Sequence, residues 1–229
     1  SGRGTAGQAE PRGRAVRAAG LAGGRRRRTE TGRIGAAHAG TAREATYNAV
    51  RKLLPADMQG FEPLEADRYI GGERFGKARI QLGDQRLDIY NSGKHHSYGD
   101  LVVYQVDERI LWISDLAFNQ RTTYMGDGDS GQILEAQAWL LQNFPDVALM
   151  VPGHGSPQTR PFPMVEKTRS YVERMRATMR EAVENGVPLL DATQQTDFDD
   201  WKDTRLYEEN QRANAGFVYR EMEQAFFNE

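Results

Sequence analysis

The stretch from Asp100 to Val151 constrains the fold more than any other part of this chain. Two apolar runs, Asp100-Leu-Val-Val-Tyr104 and Arg109-Ile-Leu-Trp-Ile113, flank the turn Gln105-Val-Asp-Glu108. A helical pattern follows from about Gly131 to Phe144, with Ile133, Leu134, Trp139, Leu140 and Leu141 on one apolar stripe, and Val147 to Val151 then reads as a buried strand. Strand, strand, helix, strand specifies a layered α/β domain, because the helix must bury its stripe against the sheet.

Upstream, Ala78 to Leu82 and Arg86 to Tyr90 are strand-like runs separated by Gly83-Asp84-Gln85, which predicts a hairpin. Thr41 to Leu54 has helical spacing through Ala45, Ala49, Val50, Leu53 and Leu54, with Thr41 as N-cap and Pro55 as stop. Two helices are expected at the C-terminal end, Met164 to Glu184 and about Trp201 to Phe227. Their methionine and aromatic stripes read as core packing rather than a cofactor box.

Residues 1–32 are of a different kind. They are Gly, Ala and Arg in irregular order, including Arg25-Arg26-Arg27-Arg28, with Val16 and Leu21 as the only large aliphatics. Twelve Arg or Lys stand against three Glu up to Lys52, and eighteen against twenty-nine acidic residues afterwards, although the whole chain is nearly balanced at −2. Such a segment cannot bury enough apolar surface to offset its ordering entropy, so residues 1–32 are expected to be a disordered basic tail and 33–229 the folded domain, with C-terminal helices from about 163. Four clustered guanidinium groups could contact nucleic acid, but a solvated tail is the commoner meaning of an isolated basic run, and nucleic acid is not the expected partner.

The chain has no cysteine, which excludes disulfides, thiolate ligands and a cysteine nucleophile, so any metal must be held by His, Asp or Glu. No run approaches the roughly 18 apolar residues of a membrane helix, and no signal peptide is visible. A protein without membrane contact, acting on a small-molecule substrate, is the expectation.

Four histidines are present, and three of them stand beside glycine near strand ends. His95-His96-Ser97-Tyr98-Gly99-Asp100 precedes a strand, Ser114-Asp115-Leu116 ends the next, and Val151-Pro152-Gly153-His154-Gly155 ends another. Loops at strand ends are where open α/β sheets place ligands. Imidazole and carboxylate are the groups that catalytic zinc accepts, normally three of them with a water whose pKa falls to about 7. His96, Asp115 and His154 supply that set from three successive loops. Asp127-Gly-Asp-Ser130 lacks the spacing of a calcium loop and reads instead as a turn with Asp129 or Ser130 capping the helix that follows. Tyr98 and Tyr124 could border a substrate pocket or pack in the core.

These segments resemble the metallo-β-lactamase superfamily. Gly93-Lys-His-His-Ser-Tyr-Gly-Asp-Leu-Val-Val-Tyr104 is similar to the family's Gly-His-Thr-x-Gly segment, Trp112-Ile-Ser-Asp-Leu-Ala-Phe-Asn119 to the strand whose aspartate bridges two metals, and Val151-Pro-Gly-His-Gly155 to the final histidine motif. Asp115 to Gly155 most resembles the branch of quinoprotein relay system zinc metallohydrolases. The resemblance implies an αββα sandwich, one or two zinc ions, His96, Asp115 and His154 as metal ligands, Asp115 also as the catalytic residue that orients the attacking water, and His95 as a neighbour.

The family's His-x-His-x-Asp-His signature occurs nowhere in the chain; the only earlier histidine, His38 in Ala36-Ala-His-Ala-Gly40, lacks its companions. Residues 1–32 stand where that signature is expected, and their composition is what an altered reading frame of GC-rich coding sequence yields. The expectation is therefore a metallo-β-lactamase-like domain with an incomplete N-terminal part. It would be a zinc-dependent hydrolase of an ester, amide or lactam-type bond with reduced metal occupancy and impaired activity. The rival is a non-catalytic remnant of the fold; a weaker one makes the tail a nucleic-acid arm on a hydrolase body.

Overall fold

The computed structural model describes residues 34–36, 52, 56, 68–70, 73–97 and 99–228. All of them fall within one compact unit, Thr31–Glu229. The tail 1–32, His38, Tyr98 and nearly all of the helix expected over Thr41 to Leu54 lie outside the described residues.

A short parallel pair, β1 (Ile34–Ala36) with β2 (Arg68–Ile70), precedes the main sheet. That sheet has five strands in chain order: β3 (Lys77–Leu82), β4 (Gln85–Gly93), β5 (Asp100–Gln105), β6 (Ile110–Ser114) and β7 (Leu149–Pro152). Neighbours are antiparallel except β6 and β7. Parallel strands need a crossover, and α1 (Ser130–Asn143) supplies it. The helix is capped as expected: the Asp129 carboxylate accepts the Gln132 N–H at 2.9 Å. The remaining helices are α2 (Pro163–Glu184), α3 (Leu189–Gln194) and α4 (Tyr207–Asn228).

The α/β class is the one expected. Val102, Leu111, Ile113 and Met150 of the sheet form one core with Ile133, Ala136 and Leu140 of α1 and with Val165, Val172, Met175 and Met179 of α2. The methionine stripe of α2 is core. Among the described residues no helix is long and apolar enough to cross a membrane.

Several boundaries differ from expectation: β4 runs on to Gly93, and β7 starts at Leu149 rather than Val147. The β3–β4 turn has two residues, not three, because Leu82 pairs directly with Gln85 and Gly83 takes up the left-handed backbone at φ +62°. The last helix starts at Tyr207 rather than Trp201: a 3-10 turn over Asp199–Trp201 comes first, Leu206 sits at φ +58°, and the carbonyl of Arg205 accepts the Thr122 N–H at 2.9 Å. Tertiary pairing with residues 121–122 outweighs local helical propensity there. The short α3 was not anticipated.

Candidate metal centre

The strand directions bring three loops to one sheet edge. The loop carrying His96 runs into the start of β5, Asp115 follows the end of β6, and His154 follows the end of β7. β5 runs antiparallel to β6, and β6 parallel to β7, so these ends coincide. Asp115 is the hub: its Oδ2 lies 3.7 Å from His96 Nε2 and its Oδ1 3.6 Å from His154 Nε2. Each imidazole thus faces a different carboxylate oxygen.

Local backbone holds these positions. Ser114, just before Asp115, is forced to φ +49°, a costly conformation for a residue other than glycine. A Cβ at Gly153 would collide with Asp115 Oδ1, and one at Gly155 with the Asn119 carbonyl oxygen. These are the close approaches for which the Pro-Gly-His-Gly sequence is needed.

The two histidines differ in tautomer. His96 Nδ1 lies 3.0 Å from the carbonyl oxygen of Tyr124, which can only accept. A neutral His96 therefore carries its proton on Nδ1 and turns the lone pair of Nε2 towards Asp115. His154 Nδ1 lies 3.2 Å from an Arg121 guanidinium nitrogen, which can only donate, so a neutral His154 carries its proton on Nε2. Burial first and the Arg121 charge second push the His154 pKa below the ordinary histidine value, with Asp115 opposing. Phe118 packs between the two imidazoles, its centroid 5.8 Å from the His96 ring and 5.2 Å from that of His154.

Support for this arrangement comes from α4. Buried Asn214 accepts the Met125 N–H at 3.0 Å and donates to the Thr123 carbonyl at 2.8 Å, bracketing the residue whose carbonyl orients His96. On the other side Asp100 Oδ2 accepts the backbone N–H groups of His95, His96 and Ser97 at 3.0, 2.9 and 2.9 Å. Burial raises the Asp100 pKa, but His95 and these hydrogen bonds outweigh it, so the carboxyl lies below its usual range.

His95 is fully buried, with Nε2 2.9 Å from Ser92 Oγ and Nδ1 3.4 Å from Asp100 Oδ2. The row resembles a nucleophilic triad in order, but Ser92 is also fully buried, so no substrate reaches it. Burial holds His95 neutral, its pKa pushed down to about 4.

The fit to a metal is by pairs. Asp115 Oδ1 is buried without a hydrogen-bond partner among the described residues, an unusual state for a carboxylate oxygen and one that a cation would relieve. Zinc bonds of about 2.1 Å arranged tetrahedrally separate donors by about 3.4 Å, close to both observed spacings. Among the described residues, however, no group of three or more His, Asp or Glu side chains is placed to hold an ion. Each carboxylate oxygen has one histidine partner, and neither pair reaches three donors.

Sequence reasoning missed Arg121 and Arg205, which share one cavity with His154. Arg121 could have been noticed six residues beyond Asp115 in a loop otherwise without cations; Arg205 could not, because its approach depends on the break before α4.

No protein-family model matches this chain, and no curated protein matches it. Among solved structures, a stereoselective inverting sec-alkylsulfatase from a Pseudomonas species is similar at TM-score 0.54 and 14% identity, over 66% of this chain and 26% of that one. A metallo-β-lactamase from Pontibacter korlensis gives TM-score 0.45 at 21% identity, over 61% of this chain and 57% of its own, and one from Hirschia baltica gives 0.38 at 23% identity over 55% and 54%. This chain therefore spans about half the length of these lactamases and a quarter of the alkylsulfatase. The likeness that carries weight is one of architecture: over 66% of this chain the domain shares the fold of part of the alkylsulfatase.

Proposed function

We propose that this chain is a metal-dependent hydrolase of a small-molecule substrate, with His96, Asp115 and His154 as the ligands it contributes to a zinc centre. The observation that carries this reading is the pair of Nε2 atoms facing the two oxygens of one carboxylate, 3.7 and 3.6 Å away, with Oδ1 otherwise unpartnered. Bound zinc would supply an acidified water and a Lewis acid for an ester, amide or lactam-type bond. Asp115 would serve both half-sites and orient the water. His96 is already in the ligating tautomer. His154 reaches it only when Arg121 releases Nδ1.

Two protein donors per ion fall short of the three that a stable catalytic zinc normally has. Weak occupancy and slow turnover follow. The same shortfall, with Arg121 holding His154 in the other tautomer, favours as second reading a domain that keeps the fold without a working centre.

Zinc content by elemental analysis, with hydrolysis of generic ester and β-lactam substrates, separates the two. The hydrolase reading expects substoichiometric zinc and low turnover, both lost in Asp115→Ala. Turnover unaffected by Asp115→Ala, or no zinc uptake at any concentration, would sink it. Stoichiometric tight zinc lost in the same variant would instead show that three ligands suffice.

A further inference from the structure

The core that α1 and α2 share with the main sheet is built on one face of that sheet, through Val102, Leu111 and Met150. Side chains alternate along a strand, so the residues between these positions point to the other face. The strand register arranges them in ladders. Ala78, Ile89, Val103, Trp112 and Val151 lie side by side across all five strands, and Ile80, Leu87, Gln105, Ile110 and Leu149 form the next row. None of these side chains belongs to the core cluster around α1 and α2, and only Ile89 among them is fully buried. Trp112 is 42% exposed within the first ladder, and Leu82, on the same face at the end of β3, is 53% exposed.

A sheet face turned to water normally carries polar side chains. Here the polar members, Gln105 and its neighbour Gln85, bond to each other at 2.9 Å, and neither ladder holds a charge. Strands about 4.8 Å apart, each about five residues long at about 3.3 Å per residue, give this face a plane on the order of 400 Å². An apolar patch of that size marks an interaction surface. It falls short of the roughly 800 Å² that each partner gives to a standard stable interface, so the complex it supports is reversible.

We propose that this face is the interface of a homodimer in which two copies of the chain pack sheet on sheet, with Trp112 in the contact. A second copy fits for two reasons. In a two-fold interface the same patch meets itself, and an uncharged patch does so without like charges facing each other. A foreign partner is selected by charge complementarity, and these ladders offer no charge to select one. A two-fold axis along β5, the middle strand, sets Trp112 against the partner's Ile89 and Val151 against the partner's Ala78 in an aligned sheet packing. His96, Asp115 and His154 stand at the strand ends, outside the covered face, so the dimer does not depend on the metal reading.

The test is sedimentation velocity of the full chain from micromolar to near-millimolar concentration. The expected result is a reversible monomer–dimer equilibrium, weakened at least ten-fold in Trp112→Glu and several-fold in Leu82→Glu. Both side chains are exposed, so a charge there is compatible with folding. Leu190→Glu is the control: Leu190 is 71% exposed on α3, away from the sheet, and its variant should dimerise like the unmodified chain. A monomer at every concentration would overturn the proposal. So would a dimer that Leu190→Glu weakens as much as Trp112→Glu, because that contact would be general apolar adhesion. A monomer whose Trp112 emission, isolated by comparison with Trp112→Phe, is that of a buried indole would overturn it in favour of cover by the same chain.

Discussion

Asp100 accepts the backbone N–H of His96 at 2.9 Å through Oδ2, although its own side chain lies behind the candidate centre rather than in it. The same oxygen takes the N–H groups of His95 and Ser97, so one buried carboxylate sets the turn from which His96 projects. Asp100→Asn keeps the shape and removes the charge from three backbone hydrogen bonds. Charge-assisted bonds of this kind are each worth about 1.5–3 kcal/mol, with partial retention by the amide oxygen. The variant should lose about 2–4 kcal/mol, read as a lower urea midpoint at unchanged slope. An unchanged midpoint would mean that the turn is held by other contacts.

Asn214→Ala removes from α4 the amide that brackets Tyr124. The buried Met125 N–H is left unpaired, and the Thr123 carbonyl keeps only the 3.3 Å bond from the Asn210 amide. Destabilisation of about 2–4 kcal/mol follows. Faster hydrogen exchange should be confined to residues 121–126 and the adjoining loop of His96. Uniform acceleration across the sheet would show that Asn214 holds the whole core instead.

Gly153→Ala places a methyl group against Asp115 Oδ1. The carboxylate must turn away from His154, or β7 must shift. Overpacking of this sort costs about 1–3 kcal/mol. Zinc affinity, measured against a competing chelator, should fall at least ten-fold from whatever the unmodified chain shows. Retained affinity would mean that Oδ1 takes no part in binding.

Asp88 provides a pH signature away from the centre. Its carboxylate is buried between the Arg79 guanidinium, at 2.5 and 2.8 Å, and Lys77 at 3.4 Å, and Arg79 holds its pKa below the ordinary value. The unfolded chain, with the ordinary value, binds the proton first as pH falls. The stability from this group is complete above about pH 4 and drains away as pH falls through the folded value. Asp88→Asn should flatten the decline of the urea midpoint between pH 5 and 3. An equally steep decline would assign acid sensitivity to other carboxylates.

Much of this was legible in the sequence because it depends on short-range pattern. The strand runs around Val102 and Leu111, the α1 stripe through Ile133 and Leu140, and the Asp129 cap each follow from residues close in the chain. His96, Asp115 and His154 were recognisable because each sits where a strand meets its loop, and strand direction decides that they share an edge. The tautomers were not legible: they depend on a Tyr124 carbonyl held by Asn214, ninety residues downstream, and on a guanidinium from the next loop. Nor was the late start of α4, since Tyr207 continues a helical pattern that Arg205 abandons to pair with residue 121.

The mixed direction of the five strands also leaves an opposite edge. There lie the two-residue turn at Gly83 and Asp84, the turn between β5 and β6, and the link from α1 into β7, each a full strand length from Asp115. Insertions at exposed turns are the changes that folded domains tolerate best. A fluorophore, affinity tag or whole reporter domain spliced between Gly83 and Asp84 would leave the histidine edge untouched. Immobilised by that turn, every molecule would present its arginine-lined cavity outward to the solution.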